Sequence, residues 1–113
     1  MKIKIIDNDQ SRKPSHRELK KKVADIHTIE IISQIYNNAY KTIDCDLMFM
    51  HASNPEASNI EEYSEAKYTR ALFSGSFPRG IDGEDGVYYI GCDEDYSFIT
   101  YFETLINTKL NNK

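Results

Sequence analysis

The sequence predicts an α/β fold, a three-layer sandwich in which helices cover both faces of a mostly parallel β-sheet. Strand-like runs alternate with helix-like segments along the chain. One of these runs, Asp46 to Met50 (DLMFM), is apolar after its first residue, as in a central parallel strand buried on both faces. The length of 113 residues suits one domain, so we expect a single unit covering residues 1–113.

The chain opens with a strand and a helix. Ile3, Ile5 and Ile6 form a short β-branched strand, which the polar stretch DNDQSRKPS then ends. A helix is expected from Ser15, with Ser15 as its N-cap and Glu18 completing a capping box.

Residues 15–43 allow two interpretations. The first is a helix, a short strand from Ile26 to Ile31 and a second helix from Ser33 to Thr42. The second is one long helix from Ser15 to Ile43, because apolar residues also recur there at helical spacing. We favour the first, since IHTIEII is dense in β-branched residues.

The second half of the chain continues the alternation. A helix is expected after Pro55, with Asn59 as its cap. RALFSGSF and GVYYIGC are strand-like, and the Gly/Asp-rich stretch from Gly80 to Gly86 between them is expected to be a loop. The clearest helix is DYSFITYFETLINTKL, capped by Asp95 or Ser97. Its apolar stripe consists of Phe98, Ile99, Phe102, Leu105, Ile106 and Leu110.

Five strands in a domain of this size fit the flavodoxin-like order 2-1-3-4-5. Ligands of such sheets bind in the crevice between the carboxyl ends of strands 1 and 3. Strand 1 ends at Asp7-Asn8-Asp9 and strand 3 ends at His51. We therefore expect Asp7 and His51 to lie side by side, with His51 hydrogen-bonded to Asp7 or Ser74.

Composition narrows the function classes. The net charge of −4 argues against a nucleic-acid partner, and the basic cluster Arg17 to Lys22 is expected to be a solvated helix face.

The histidines and cysteines outside the crevice are expected to be structural. His16 and His27 are expected at the surface, and Cys45 and Cys92 are expected to be buried thiols.

Nothing in the sequence suggests a membrane protein. No apolar run approaches 18 residues, and the N-terminus is too short and too soon acidic for a signal peptide. We expect a cytoplasmic protein without a metal or cofactor.

Three motifs, KIKIIDND, DLMFMHASNPE and ALFSGS, follow one another in this order. Together they resemble a response-regulator receiver domain over most of the chain. The resemblance implies a receiver-like form of the flavodoxin-like sandwich and a role in bacterial two-component signal transduction. In that comparison Asp7 is a retained acid of the pocket, and Ser74 matches the Ser or Thr that contacts the phosphoryl group.

The chain departs from the receiver pattern at residues that carry its chemistry. His51 stands in place of the phospho-accepting aspartate. Asn8 stands in place of the second metal-binding acid, and Asp9 comes one residue late. Gly91 and Cys92 stand where a lysine belongs. The resemblance therefore implies a degenerate receiver, or pseudo-receiver, with a vestigial phosphoacceptor pocket made of Asp7, Asn8, Asp9, His51 and Ser74.

A pseudo-receiver acts by contact with a protein partner: a kinase, another regulator or a second copy of itself. The stretch PRGIDGEDG is expected to replace most of the fourth helix, so that this helix is shortened or missing. Aromatic anchors beside acidic residues suit an interface, where area provides affinity and charge steers association. The predicted interaction surface consists of Asp82, Glu84, Asp85, Tyr88 and Tyr89.

Two other function classes stay open. One is a small acidic binding protein of the immunity or inhibitor type, which needs only a surface. The other, less favoured, is a small hydrolase that uses Asp7, His51 and Ser74, although Ser74 lies in no nucleophile elbow.

Overall fold

A computed structural model describes residues 1–36, 38–84, 86–92 and 98–111. Their strands and α-helices are, in chain order, β1 (Lys2–Ile6), α1 (Lys13–Lys22), β2 (Thr28–Ile32), β3 (Leu47–His51), α2 (Ala57–Glu62), β4 (Thr69–Ser74), β5 (Gly80–Glu84), β6 (Val87–Gly91) and α3 (Phe98–Asn111). Two short 3₁₀ helices, Gln10–Arg12 and Ala39–Lys41, precede α1 and β3.

The six strands form one sheet in the order β2-β1-β3-β4-β6-β5. All neighbours pair in parallel except β5 and β6, which are antiparallel. The α/β class and the mostly parallel sheet are confirmed. The predicted strand count was wrong, because a sixth strand extends the sheet beyond the predicted five.

The sixth strand is β5, in the stretch expected to be a loop. Gly80–Glu84 pairs with β6, and a Cβ on Gly83 would meet the backbone of its partner Tyr88. Glycine at position 83 thus lets two backbones approach, while it removes the side-chain pattern that reveals a strand. The dipeptide Asp85-Gly86 before β6 is the hairpin signal that sequence reasoning missed.

Each face of the sheet carries its own apolar cluster, which gives the three layers. On one face α1 and α3 pack over the sheet, with Phe49, Phe73 and Phe102 fully buried. On the other face α2 and the 3₁₀ helix Ala39–Lys41 pack over Met48, Met50 and Leu72 among others. Strand β3 lies between β1 and β4 with Leu47 through Met50 fully buried, which confirms the prediction of a central strand.

Helix α1 begins earlier than predicted. It starts at Lys13 with Arg12 as N-cap, so Ser15 lies inside the first turn and the predicted capping box was wrong. Pro14 sits in that first turn, where its missing N–H costs no helical hydrogen bond. The basic cluster that follows is exposed at Arg17 and at Lys20 through Lys22, as predicted.

Neither predicted arrangement of residues 15–43 is correct beyond the first helix and the strand. Between β2, which runs from Thr28 to Ile32, and β3, the described residues form only the 3₁₀ helix Ala39–Lys41. Asn38 adopts the left-handed conformation with φ 63°, which a continuing α-helix does not allow. Ile35 and Tyr40 are buried in the apolar cluster below α2, so burial rather than helical period sets this segment.

The other helices differ mainly at their ends. Asn59 lies inside α2 and is not its cap, because the helix begins at Ala57 after a turn held by the side chain of Asn54. The predicted stripe of α3 is buried at Phe98, Phe102, Leu105 and Ile106, and Ile99 is half-buried. The predicted caps Asp95 and Ser97, and the side chain of Leu110, lie outside what the structure describes.

Within the described ranges, no helix is both long enough and apolar enough to cross a membrane.

Candidate functional site

The candidate site lies where strands β1 and β3 end. These neighbours last pair at Ile6 and Met50, and Asp7 and His51 each follow one residue later. The chain leaves β1 toward β2 on one side, while β3 lies on the other, so this is the switch point of the sheet. The sequence-based placement of Asp7 and His51 at this crevice agrees with the structure.

The partners of Asp7 were not foreseen. The Asp7 carboxylate is 2% exposed and accepts two hydrogen bonds from Arg12, Nε to Oδ2 at 2.6 Å and Nη2 to Oδ1 at 2.8 Å. His16 Nε2 lies 2.9 Å from Oδ2, and the Asp9 N–H donates to Oδ1 at 3.1 Å. Each carboxylate oxygen therefore has two partners from the chain itself.

His16 was predicted at the surface, and this was wrong. It is 1% exposed, stacked on Phe102 with ring centroids 5.8 Å apart. The 3₁₀ helix Gln10–Arg12 and the first turns of α1 fold back over the end of β1, which brings Arg12 and His16 onto Asp7. His27 was also expected at the surface but is buried, with Nδ1 3.1 Å from the N-terminal amine of Met1.

Asp7 is held as an anion. Burial alone would raise its pKa, but the hydrogen bonds from His16 and Arg12 outweigh this and hold the pKa of Asp7 well below its usual range. The hydrogen bond to Asp7 in turn raises the pKa of Arg12. The guanidinium thus provides a positive charge beside this buried carboxylate.

The prediction that His51 is hydrogen-bonded to Asp7 or Ser74 was wrong. Its hydrogen-bond partner is Ser53. Its Nδ1 accepts from the Ser53 N–H at 3.2 Å and lies 2.7 Å from Ser53 Oγ, while its ring meets Phe73 edge-on at 5.2 Å. Burial, followed by the nearby Arg12 charge, lowers the pKa of His51. A neutral ring with its proton on Nε2 fits this geometry.

The remaining pocket residues have local structural partners. Asp9 Oδ1 accepts from the Ser11 N–H at 2.8 Å, which caps the 3₁₀ helix, and Asn8 is exposed. Buried Ser74 accepts from the Ser76 N–H at 3.1 Å, in the turn after β4. The five residues of the predicted pocket therefore share one end of the sheet, but their contacts form several separate small networks.

The end of β6 has no room for a larger side chain. A Cβ on buried Gly91 would meet the backbone carbonyl of Pro78. The next residue, Cys92, is buried, as is Cys45, which confirms that both cysteines lie in the interior. Burial raises the pKa of Cys45 to about 12, so that thiol stays protonated.

Among the described residues, no group of three or more His, Cys, Asp or Glu side chains is arranged so that it could hold a metal ion.

The predicted interaction surface lies at the β5–β6 edge. Asp82 is exposed on β5, and its Oδ1 accepts from the Gly83 N–H at 2.9 Å. Tyr88 and Tyr89 are half-buried on opposite faces of the sheet. Asp85 and the side chain of Glu84 lie outside the described residues.

Comparisons of this chain with known protein families, with characterised proteins and with solved structures found no match. The receiver resemblance consequently rests on the sequence motifs alone.

Proposed function

We propose that this protein is a phosphorylation-independent pseudo-receiver: a cytoplasmic, regulatory protein-interaction module in bacterial signalling. The observation that carries the proposal is the bidentate pair of hydrogen bonds between the Arg12 guanidinium and the buried Asp7 carboxylate. It supports a receiver-like pocket whose acid is neutralised from within the chain.

Phosphoryl transfer to a carboxylate requires Mg²⁺ to neutralise the transferring group, and Mg²⁺ demands several oxygen ligands in near-octahedral geometry. At this site a cation would compete with Arg12 for both oxygens of Asp7. His51 offers a neutral imidazole in place of an acceptor carboxylate, and Gly91 leaves no space for a lysine. These features argue against phosphotransfer at this pocket.

The sheet supports a receiver-like, flavodoxin-like fold. Its five parallel strands lie in the order β2-β1-β3-β4-β6, which matches 2-1-3-4-5 when β6 is counted as the fifth. In the described part of the connection from β4 to β6 the chain forms strand β5. This fits the proposal of a missing fourth helix, with an added edge strand in its place.

A module that does not switch by phosphorylation acts through a surface that is always displayed. The β5–β6 edge, within residues 79–96, is the surface we propose, with Tyr88 and Tyr89 as anchors and Asp82, Glu84 and Asp85 as the charges that steer a basic partner. The partner is a kinase, another regulator or a second copy of the chain.

The test compares two triple variants of the full chain. Replacing Asp82, Glu84 and Asp85 with Ser should slow association, with the largest effect at low ionic strength, because steering between exposed charges is screened by salt. Replacing the exposed acids Asp25, Glu62 and Glu65 with Ser removes the same charge elsewhere and is the matched control.

Two measurements are compared across these proteins: sedimentation for self-association, and retention of bacterial partners on the immobilised chain followed by association kinetics. Unchanged association of the first variant at every ionic strength would contradict the proposed surface. A retained kinase or regulator supports the signalling role, whereas a retained enzyme that the chain inhibits would favour the immunity or inhibitor type of protein.

A further inference from the structure

We propose that the open edge of β2 is a second interaction site, which takes an extended acidic segment of a partner protein as an additional strand of the sheet. This edge lies at the opposite end of the sheet from β5. The inference therefore goes beyond the proposed function and does not depend on the acidic β5–β6 surface.

The backbone of β2 has one satisfied side and one open side. The Thr28 N–H donates to the Met1 carbonyl at 3.0 Å, and the Ile32 carbonyl accepts from the Asp7 N–H at 2.9 Å, so both residues turn toward β1. Peptide groups alternate along a parallel strand, and therefore the N–H and C=O groups of Ile29 and Ile31 turn outward. In the described part of the chain, no strand pairs with that side.

An open groove accompanies this edge. It has a volume of about 470 Å³ and runs between α1 and β2, with Thr28, Ile29, Glu30 and Ile31 on the strand side. The helix side is formed by Lys13, Arg17 and Lys20, which follow one another at positions i, i+4 and i+7 and so lie in one stripe along α1. The groove therefore joins backbone groups that can pair with a strand to a row of cationic side chains.

The positive charge of the groove indicates that the partner segment is acidic. Among the described residues that line it, Glu30 is the one acid, and it already accepts from Lys4 Nζ at 2.9 Å. Within the described ranges, no carboxylate forms an ion pair with Lys13, Arg17 or Lys20. This local surplus of positive charge stands out on a chain whose net charge is −4, and it favours acidic segments over basic ones.

The spacing favours an extended segment. A helix rises about 1.5 Å per residue, so the row from Lys13 to Lys20 is roughly 10 Å long. A strand rises about 3.3 Å per residue, so side chains on one face are about 6.6 Å apart and three of them span about 13 Å. A segment with carboxylates at alternate positions can thus place them along the row while its backbone pairs with Ile29 and Ile31. This is the geometry of strand addition at a sheet edge.

The experiment uses the full chain and a blocked synthetic octapeptide in which Glu alternates with Val or Thr. Binding is followed by NMR titration and by amide hydrogen exchange. We expect exchange at Ile29 and Ile31 to slow at least several-fold at saturation, while Thr28 and Glu30, which already face β1, do not change. Replacing Glu with Gln in the peptide should abolish binding, and N-methylation of the residues that face β2 should do the same.

A matched pair of variants tests the charge row. Arg17→Glu should weaken peptide binding about tenfold or more at low salt, whereas Lys21→Glu, which changes an exposed lysine of α1 outside the groove, should have little effect. Circular dichroism would show that both variants keep the fold. Equal losses in the two variants, or no binding of the peptide, would overturn the proposal.

Three other results would also overturn it. Binding without protection of Ile29 and Ile31, or tighter binding of a single-stranded oligonucleotide, would mean that the cationic row attracts anions in general. Self-association without peptide that Arg17→Glu abolishes would assign the edge to a second copy of the chain.

Discussion

Arg12 donates a bidentate pair of hydrogen bonds to the Asp7 carboxylate, from Nε to Oδ2 at 2.6 Å and from Nη2 to Oδ1 at 2.8 Å. The carboxylate is buried at the switch point of the sheet, the usual ligand crevice of such folds. Because a residue only five positions away pairs with Asp7, the charge of this carboxylate is balanced by local structure. The stability of the fold and the chemistry of the site can therefore both be tested through Arg12 and Asp7.

Removing Arg12 should strongly destabilise the fold. Arg12→Ala leaves the buried Asp7 charge without its guanidinium partner, which typically costs on the order of 3 kcal/mol of unfolding free energy. Urea unfolding followed by circular dichroism measures this loss. Arg17→Ala changes an exposed arginine of α1 and should alter stability by about 0.5 kcal/mol at most. Similar unfolding midpoints for the two variants would show that the Arg12–Asp7 pair contributes little.

Acid should unfold the protein through Asp7. Its pKa is lowered in the folded state, so below the ordinary value of 3.8 the unfolded chain binds the proton first. The stabilisation is fully present above that pH and is lost as the pH falls toward the folded-state pKa. Asp7→Asn should be less stable at pH 7, yet show a weaker loss of stability below about pH 4. Identical acid profiles of the two proteins, measured by chemical unfolding, would contradict this.

Phosphoryl analogues should leave the pocket unchanged. Acetyl phosphate, or beryllofluoride with Mg²⁺, requires an acceptor carboxylate and a cation site, and here Asp7 is paired with Arg12 while His51 is bonded to Ser53. We expect no saturable shift of the NMR signals of Asp7, His51 and Ser74 when either reagent is added. A saturable shift centred on these residues would overturn the phosphorylation-independent role.

Rebuilding a cation site should require the removal of Arg12. Asn8→Asp with His51→Asp groups carboxylates at one end of the sheet, but Arg12 still occupies the oxygens of Asp7. The double variant is therefore expected to show no response to Mg²⁺. Adding Arg12→Ala should create millimolar affinity, seen as a rise in melting temperature with Mg²⁺ even if the variant is less stable.

The matched control for that experiment is Asn8→Asp with Arg12→Ala, which keeps His51 and so lacks the third carboxylate. It should not respond to Mg²⁺. If the triple variant folds and shows no thermal shift, or if the control shifts equally, His51 does not occupy the place of an acceptor carboxylate.

Side-chain patterns along the chain were sufficient to predict much of the sheet and the last helix. Strands β1, β3, β4 and β6 were found because β-branched or continuous apolar runs record burial directly, and the stripe of α3 did the same at helical spacing. The position of Asp7 and His51 at one crevice followed from strand order, because the ends of parallel strands meet at one edge of a sheet.

Other features were decided only by the tertiary structure, because their cause lies in residues distant in the sequence or in backbone geometry. Strand β5 exists because β6 offers it a partner, although its glycines carry no side-chain pattern. The segment after β2 follows the burial of Ile35 and Tyr40 against α2 and the sheet, which overrides an apparent helical period.

The network around Asp7 depended on tertiary structure most of all. Arg12 and His16 are polar residues in a polar stretch, where hydrophobic periodicity gives no information. They reach Asp7 because the 3₁₀ helix and α1 fold back over the end of β1, and a hydrogen bond exists only when that path aligns donor and acceptor to within a few tenths of an ångström. Burial patterns are recorded residue by residue in a sequence, whereas the partner of a buried charge is set by the packing of whole elements.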